Sequence, residues 1–464
     1  MKALLSRWSN TNQRSDTPSS RGEKRSQSTT ARVKLVALRQ AQQALTSLHK
    51  TNRAMFFNAG SLVATFVVKS GLGYAYWWLA ARQFAAADVG VASAAISSMT
   101  LLGTLCMLGL GALLIRELPR HAEHGGALIS AALWLVGIFG ACIGCIFAFV
   151  VPSFSPDLQP LRANILTVML FAAGVGFATI NLVFDQVLVG LLRGEMQLWR
   201  NMLFAGAKLT ALAIAGFWLL QHNAVVIYLT WVLGDIFSLG ALAVWKKKWT
   251  YHILRPHWNL LRKLGGGALQ HHILNLLHMG PNMALPLLVT VLISATVNAH
   301  FYIAFLVADV VYVVPQSLVT ALYAVSSAQP QLLARKARLT VGLALLVCIA
   351  GNIVIFLGGR IVLGLFGPDY AAQGMWSMCF LALSAFPFFI KELYLAVSRI
   401  YDRMKDALVP MAASAVFEVI AAVIGARLGG ISGLSLGWLI AVSIEAALMA
   451  IFVYRVLGTA NVNV

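Results

Sequence analysis

The feature that most constrains this chain is a succession of apolar runs, each long enough to cross a bilayer and separated by short polar loops. A helix needs about 20 apolar residues to cross roughly 30 Å of hydrocarbon. Runs of that kind fall at 57–81, 88–115, 125–151, 162–190, 199–221, 223–245, 265–294, 298–324, 338–359, 373–396, 407–427 and 431–454. Inside lipid every backbone N–H and C=O must be satisfied within the protein, so runs this long are read as helices. Composition agrees: 59% of residues are hydrophobic and 11% charged, against about 25% charged in a soluble domain. Mean hydropathy is +0.79. No loop is long enough for a soluble domain. The expected fold is an all-α integral membrane protein of about twelve transmembrane helices.

The net charge is +19, but the basic residues sit between the apolar runs. That pattern is topological, and no nucleic-acid partner is expected. Cytoplasmic loops carry an excess of Lys and Arg. With the N-terminus inside, only Arg82, Arg162, Arg360 and Arg427 fall on the outer side, and Lys69, Lys208 and Lys391 lie within spans. All the other Lys and Arg fall inside. The chain is therefore placed in the cytoplasmic (inner) membrane with both termini in the cytoplasm. Residues 1–53 form a basic arm, disordered to about Thr30. Beyond that, Val33, Leu35, Leu38, Leu45 and Leu48 form a weak helical stripe flanked by Arg32, Lys34, Arg39, Lys50 and Arg53. An interfacial helix on anionic lipid and a merely solvated arm are both open readings.

Two halves are expected. Residues 54–245 would form one six-helix bundle and 265–455 the other, joined by the basic linker 246–264 and followed by a tail, 456–464. A faint repeat supports this. Phe154-Ser155-Pro156-Asp157 precedes the fourth span, as Phe366-Gly367-Pro368-Asp369 precedes the tenth. An even number of spans per half gives parallel repeats about an axis along the membrane normal.

The five cysteines lie inside apolar runs, Cys142 and Cys145 as a C-x-x-C mid-helix, and are read as small hydrophobes. No zinc-ligand spacing, phosphate loop or nucleophile motif is present, so neither cofactor, metal nor enzyme activity is expected. Charges within spans usually face a bundle interior or a wet cavity. Lys208 and Asp235 lie about equally far from the tight turn near His222, at one depth, and are expected to pair structurally. Lys69 is mid-span with no acid at its depth in the next span; an anionic ligand and a cross-bundle pair with Asp309 or Asp185 are both open. His271, Asn275, His278 and Asn282 are spaced to share one helical face, expected to line the lumen. Asp309 is mid-span. Asp185, Glu418 and Glu445 are candidates for a coupling proton or cation.

Several stretches resemble the polysaccharide-export branch (O-antigen-flippase-like) of the multidrug/oligosaccharidyl-lipid/polysaccharide exporter superfamily. They are AARQFAAADVGVASAAIS with LGLGALLIRELPR, DQVLVGLLRGEMQLWRN, LPLLVTVLISATVNAHFYIAFLVADVVYVVPQSLVTALYAV, LGLFGPDYAAQG with LYLAVSRIYDRMKDALV, and GGISGLSLGWLIAV. They occur in the family's order over about 55–457. The resemblance implies two six-helix bundles around a central cavity. It also implies a flippase that moves a lipid-linked oligosaccharide or related glycolipid outward by alternating access, for lipopolysaccharide or exopolysaccharide assembly. Lys69, His271, Asn275, His278 and Asp309 would then line the substrate path. One departure is that no arginine falls mid-span. A cation-coupled multidrug or small-molecule exporter of the same superfamily is the alternative. The arm is a candidate docking segment for polysaccharide synthesis enzymes.

Overall fold

The computed structural model describes residues 68, 70–118, 122–218, 223–244, 256, 258, 261, 268–328 and 333–459. The arm at 1–53, most of the linker 246–264, the end of the tail and Lys69 lie outside the described residues.

The chain is a multi-pass, all-α membrane protein of two six-helix bundles around a central cavity. In the N-terminal bundle, α1 spans 70–83, α2 Ala86–Cys106, α3 Leu110–Glu117, α4 Gly125–Val150, α5 Ile165–Gly190, α6 Gly194–Trp218 and α7 Ala224–Val244. In the C-terminal bundle, α8 spans Ala268–Leu292, α9 Ala295–Ala328, α10 Leu333–Gly364, α11 Pro368–Leu383, α12 Ala385–Ile400 and α13 Met404–Thr459. Among the described residues ten segments are long and apolar enough to cross a membrane. The last is a pair of helices joined at a kink, where Gly429 and Gly430 leave helical geometry.

Local chemistry sets the breaks. The second span is two helices, not one: Leu108 and Gly109 both take positive φ and end α2. At α5 the Asn164 side chain accepts from Thr167 N, and Thr167 Oγ1 accepts from Asn164 N. That reciprocal cap satisfies two amides a helix start leaves open. The turns α5–α6 and α12–α13 share one construction. Leu192 and Asp402 are left-handed. The next amides reach back, Arg193 N to Leu188 O and Arg403 N to Ser398 O, both at 2.8 Å. Each is a Schellman stop, and the two occupy corresponding places in the two bundles. Prolines do not end their helices: α8 continues through Pro281 and Pro286, and α9 through Pro315.

Burial separates centre from rim. The most apolar stretch of α10 is 17% buried, whereas that of α2 is 67%. Leu346, Val354, Phe356, Leu357 and Ile361 of α10 are exposed; in lipid this is the solvated face. The two arms of α13 meet through small residues. A methyl group on Gly433 would overlap the Gly425 backbone, and one on Gly437 would overlap Ala421 O. In lipid, close backbone approach at small residues drives helix association. Gly433→Leu should therefore lower the melting temperature and the monodisperse yield sharply. Gly240→Leu, at an exposed site with open space around it, should leave both near wild type in the same size-exclusion and thermal-unfolding assays.

Candidate functional site

The bundles meet along α1 and α2 on one side and α8 and α9 on the other. At the end carrying the loops 84–85, 151–164, 293–294 and 365–367, polar contacts cross the seam. Gly90 of α2 lies so close to α9 that any Cβ would overlap Ala295 O. Asn298 Nδ2 donates to Gly90 O at 2.9 Å and to Ser93 Oγ at 3.0 Å. Asp157 Oδ2 accepts from Ala295 N at 2.6 Å, capping α9 from the other bundle. Ser155 Oγ donates to Thr290 O at 3.4 Å. Across the pseudo-equivalent seam, Trp78 Nε1 and the Arg82 guanidinium donate to Leu365 O. This end of the interface is sealed.

Further along α9 the contacts with α1 continue at Tyr302, whose ring lies 4.7 Å from that of Trp77, and at Leu306, whose carbonyl accepts from Tyr74 OH at 2.6 Å. Residues 302, 306 and 309 share a helical face. Asp309 is the next residue on it and is exposed. Lys69 lies outside the described residues.

The polar face of α8 is a correction. His278 was expected to line the lumen but is buried against α12, its ring stacked on Phe388 with centroids 4.4 Å apart. Among the described residues neither ring nitrogen has a hydrogen-bond partner. Asn275 is exposed but accepts from Arg399 of α12, and His271 is half-buried. Beside that face His272 touches the other bundle, its Nε2 3.2 Å from Leu105 O of α2. The spacing rule identified one face correctly; it could not say which neighbour that face meets.

Lys391 of α12 is fully buried and bonded to two carboxylates, Glu418 and Glu445, from the two arms of α13. Trp438 Nε1 donates to the other Glu418 oxygen at 2.6 Å, while Glu445 Oε1 has no partner among the described residues. One ammonium against two carboxylates leaves a formal charge of −1 when all three are ionised. A single proton or monovalent cation neutralises it.

The N-terminal bundle holds a balanced counterpart. Arg200 grips Asp185 with two bonds, Nη2–Oδ2 at 2.6 Å and Nε–Oδ1 at 3.1 Å, and reaches Asn181. Asn181 Nδ2 donates to Asp235 Oδ1 at 2.6 Å. Lys208 Nζ lies over the Trp231 ring, 3.3 Å from its centroid, with Phe204 and Tyr76 beside it. Two cations and two acids sum to zero, so this network ties α5, α6 and α7 without calling for a further ion. Arg200 is counted from sequence on the cytoplasmic side, at the start of the run 199–221. It is 3% exposed, and Asp185, an ion-coupling candidate, is its partner. The signal was in the sequence: a Lys or Arg at a span end facing an Asp in the adjacent span. Among the described residues no three His, Cys, Asp or Glu side chains cluster as a metal site.

The chain matches no protein-family model, and no curated protein matches it by sequence. Solved structures do match. A multidrug resistance MATE family transporter of the MOP superfamily, in its inward-facing conformation, aligns with a TM-score of 0.67 at 13% identity, covering 86% of this chain and 98% of that one. This chain has the MATE transporter fold. The outward-facing conformation of such a transporter gives 0.61 at 14% identity, over 88% and 96%. A MOP superfamily transporter from Pyrococcus furiosus, described by the reverse polarity of its binding pocket, gives 0.54 at 13%, over the same shares.

Two outcomes follow from the geometry. Lys391→Met should destabilise by about 3–5 kcal/mol, because it strands two buried carboxylates, whereas Lys391→Met with Glu418→Gln and Glu445→Gln should recover most of that loss in denaturant melts. Gly90→Leu should wedge the seal apart, so that a cysteine at Ser93, fully buried here, becomes reactive to a membrane-impermeant maleimide while the Gly90 parent stays unreactive.

Proposed function

We propose that this chain is a secondary transporter that carries a lipid-linked oligosaccharide or related glycolipid across the cytoplasmic membrane for cell-surface polysaccharide assembly. The observation that carries the transport reading is the seam itself. It is sealed at one end by contacts between the bundles, with an exposed carboxylate, Asp309, on the α9 face just beyond them. Rocking the bundles about α2 and α8 would exchange the sealed end for the other. The MATE fold supports that motion, since both inward- and outward-facing forms of it are known. The ordered stretches that resemble polysaccharide flippases support the glycolipid.

In this reading the Lys-rich loops and both termini face the cytoplasm, and the basic arm meets anionic lipid or synthesis enzymes. Lys69 takes the anionic part of the substrate. The Lys391–Glu418–Glu445 cluster, short of one positive charge, takes the coupling proton or cation. Its burial between α12 and both arms of α13 would make occupancy alter packing of the C-terminal bundle.

A second reading is favoured by one observation. The charged side chain described on the α9 face is an acid, which suits a cationic substrate and hence a cation-coupled drug exporter. Lipid extracts of cells lacking the protein separate the two. The glycolipid reading expects lipid-linked oligosaccharide to accumulate, relieved by wild type and not by Lys69→Ala. Normal lipid-linked pools together with drug sensitivity, restored by wild type but not by Asp309→Asn, would replace it with the exporter.

A further inference from the structure

The two bundles carry one buried polar triad with different charges. Asn181 of α5, Lys208 of α6 and Asp235 of α7 follow one another at intervals of 27 residues, and so do Lys391 of α12 and Glu418 and Glu445 of the two arms of α13. The left-handed turn residues Leu192 and Asp402 fall equally far along the chain from Asn181 and Lys391. All six triad side chains are buried. The bond between the first and third members recurs. Asn181 Nδ2 donates to Asp235 Oδ1 at 2.6 Å, and Lys391 Nζ donates to Glu445 Oε2 at 2.7 Å. Lys208 thus takes the position of Glu418. In the N-terminal bundle the triad sums to zero, and the Arg200–Asp185 pair beside it is balanced as well. In the C-terminal bundle the same construction sums to −1 when its three groups are ionised.

We infer that the C-terminal triad holds one exchangeable proton and no metal ion, which brings it to the neutral charge its counterpart has by composition. This rests on the reading of the cluster as the coupling site and narrows it to one ion. The oxygens make the choice. Lys391 Nζ bonds one oxygen of each glutamate, and Trp438 Nε1 bonds the second oxygen of Glu418. Of the four, only Glu445 Oε1 has no partner among the described residues. Hard cations such as Ca²⁺ and Mg²⁺ gather about six oxygens, and sodium is a hard cation of the same kind. Here it would meet one free oxygen beside an ammonium already seated between the carboxylates. A proton needs one oxygen and no coordination shell. It belongs to the coupled pair of carboxylates, and it removes a net buried charge, which is costly. The other helices packed on α13 bring few rivals. From α8 comes His278, stacked on Phe388, and from α9 Tyr312, against the same ring. The charged residue of α11 is Asp369 in its first turn, and those of α10 lie near its ends. Glu445 Oε1 is closed to solvent in this state, so the proton stays until the helices around it rearrange.

Infrared spectra of the full chain in nanodiscs read this proton, because a neutral carboxylic acid has a carbonyl band that carboxylates lack. At neutral pH, wild type minus Glu445→Gln should show one such band. Glu418→Gln should lose it too, since Lys391 and Glu445 then balance without a proton. Both substitutions nearly conserve volume, so melting temperatures should stay near wild type, which separates a lost proton from a lost fold. Two arms need no variant: raising the pH should bleach the wild-type band, and exchanging choline for sodium at constant pH and ionic strength should not. The inference is overturned if Glu445→Gln removes only carboxylate bands, as it would were His278 to hold the proton instead. It is also overturned if Glu418→Gln keeps the band or if sodium bleaches it. Transport under a pH gradient is measured separately. The expected band with transport indifferent to the gradient supports the proton and removes the coupling role, whereas proton-driven transport without the band overturns the proton and leaves coupling to another site.

Discussion

At the sealed end, α2 and α9 approach until only a hydrogen fits between Gly90 and the Ala295 carbonyl. That closeness places Asn298 where it can donate to Gly90 O and Ser93 Oγ and brings Asp157 to the first amide of α9. Each bond satisfies a group that would otherwise be buried in a low-dielectric region without water, where an unmet polar group is costly. Not every group there is paired, since Asn298 Oδ1 has no partner among the described residues, and each cross-bundle bond joins groups that water could also satisfy. Such an interface is stable when shut and can be parted at modest cost.

The two bundles handle charge differently. Around Arg200 the formal charges balance and the bonds run from helix to helix across α5, α6 and α7. Around Lys391 they do not balance, and Glu445 keeps an unpartnered oxygen. A buried cluster of one ammonium and two carboxylates is one positive charge short when all three are ionised, the imbalance on which the proposed coupling rests. The imbalance lies where α12 meets both arms of the Gly-rich α13 hairpin.

The fold was largely legible in the sequence because lipid leaves few choices: long apolar runs must be helices, and hydropathy finds them. The breaks were less so. Leu108 and Gly109 split the second span within an apolar run where neither residue announces a stop, and the left-handed Leu192 is no more visible. The site was legible in its residue types but not in its partners. The 4-3-4 spacing on α8 set His271, Asn275, His278 and Asn282 on one face, yet periodicity does not tell a cavity from a neighbouring helix, and α12 covers His278. Lys391, Glu418 and Glu445 lay in successive spans, but depth alone did not join one lysine to two acids. Arg200, at the start of the run 199–221, was counted only as an inner-side charge, because a hydropathy boundary is good to a few residues and does not show a buried partner. Meanwhile the F-x-P-D repeat, short as it is, marked two places that both lie on the seam between the bundles.

The central claim is that the seam at this end opens and closes. Spin labels at Phe154, in the N-terminal bundle, and Leu428, in the C-terminal one, are both well exposed and report the gap across that end in a variant without the native cysteines. Pulsed dipolar spectroscopy in proteoliposomes should give two distance populations. One should match the closed arrangement, and one should be longer and grow when the protonation or cation occupancy of the Lys391 cluster is changed. A single distance that is unmoved by pH, by sodium and by Glu445→Gln would contradict the account and leave the seam a static interface.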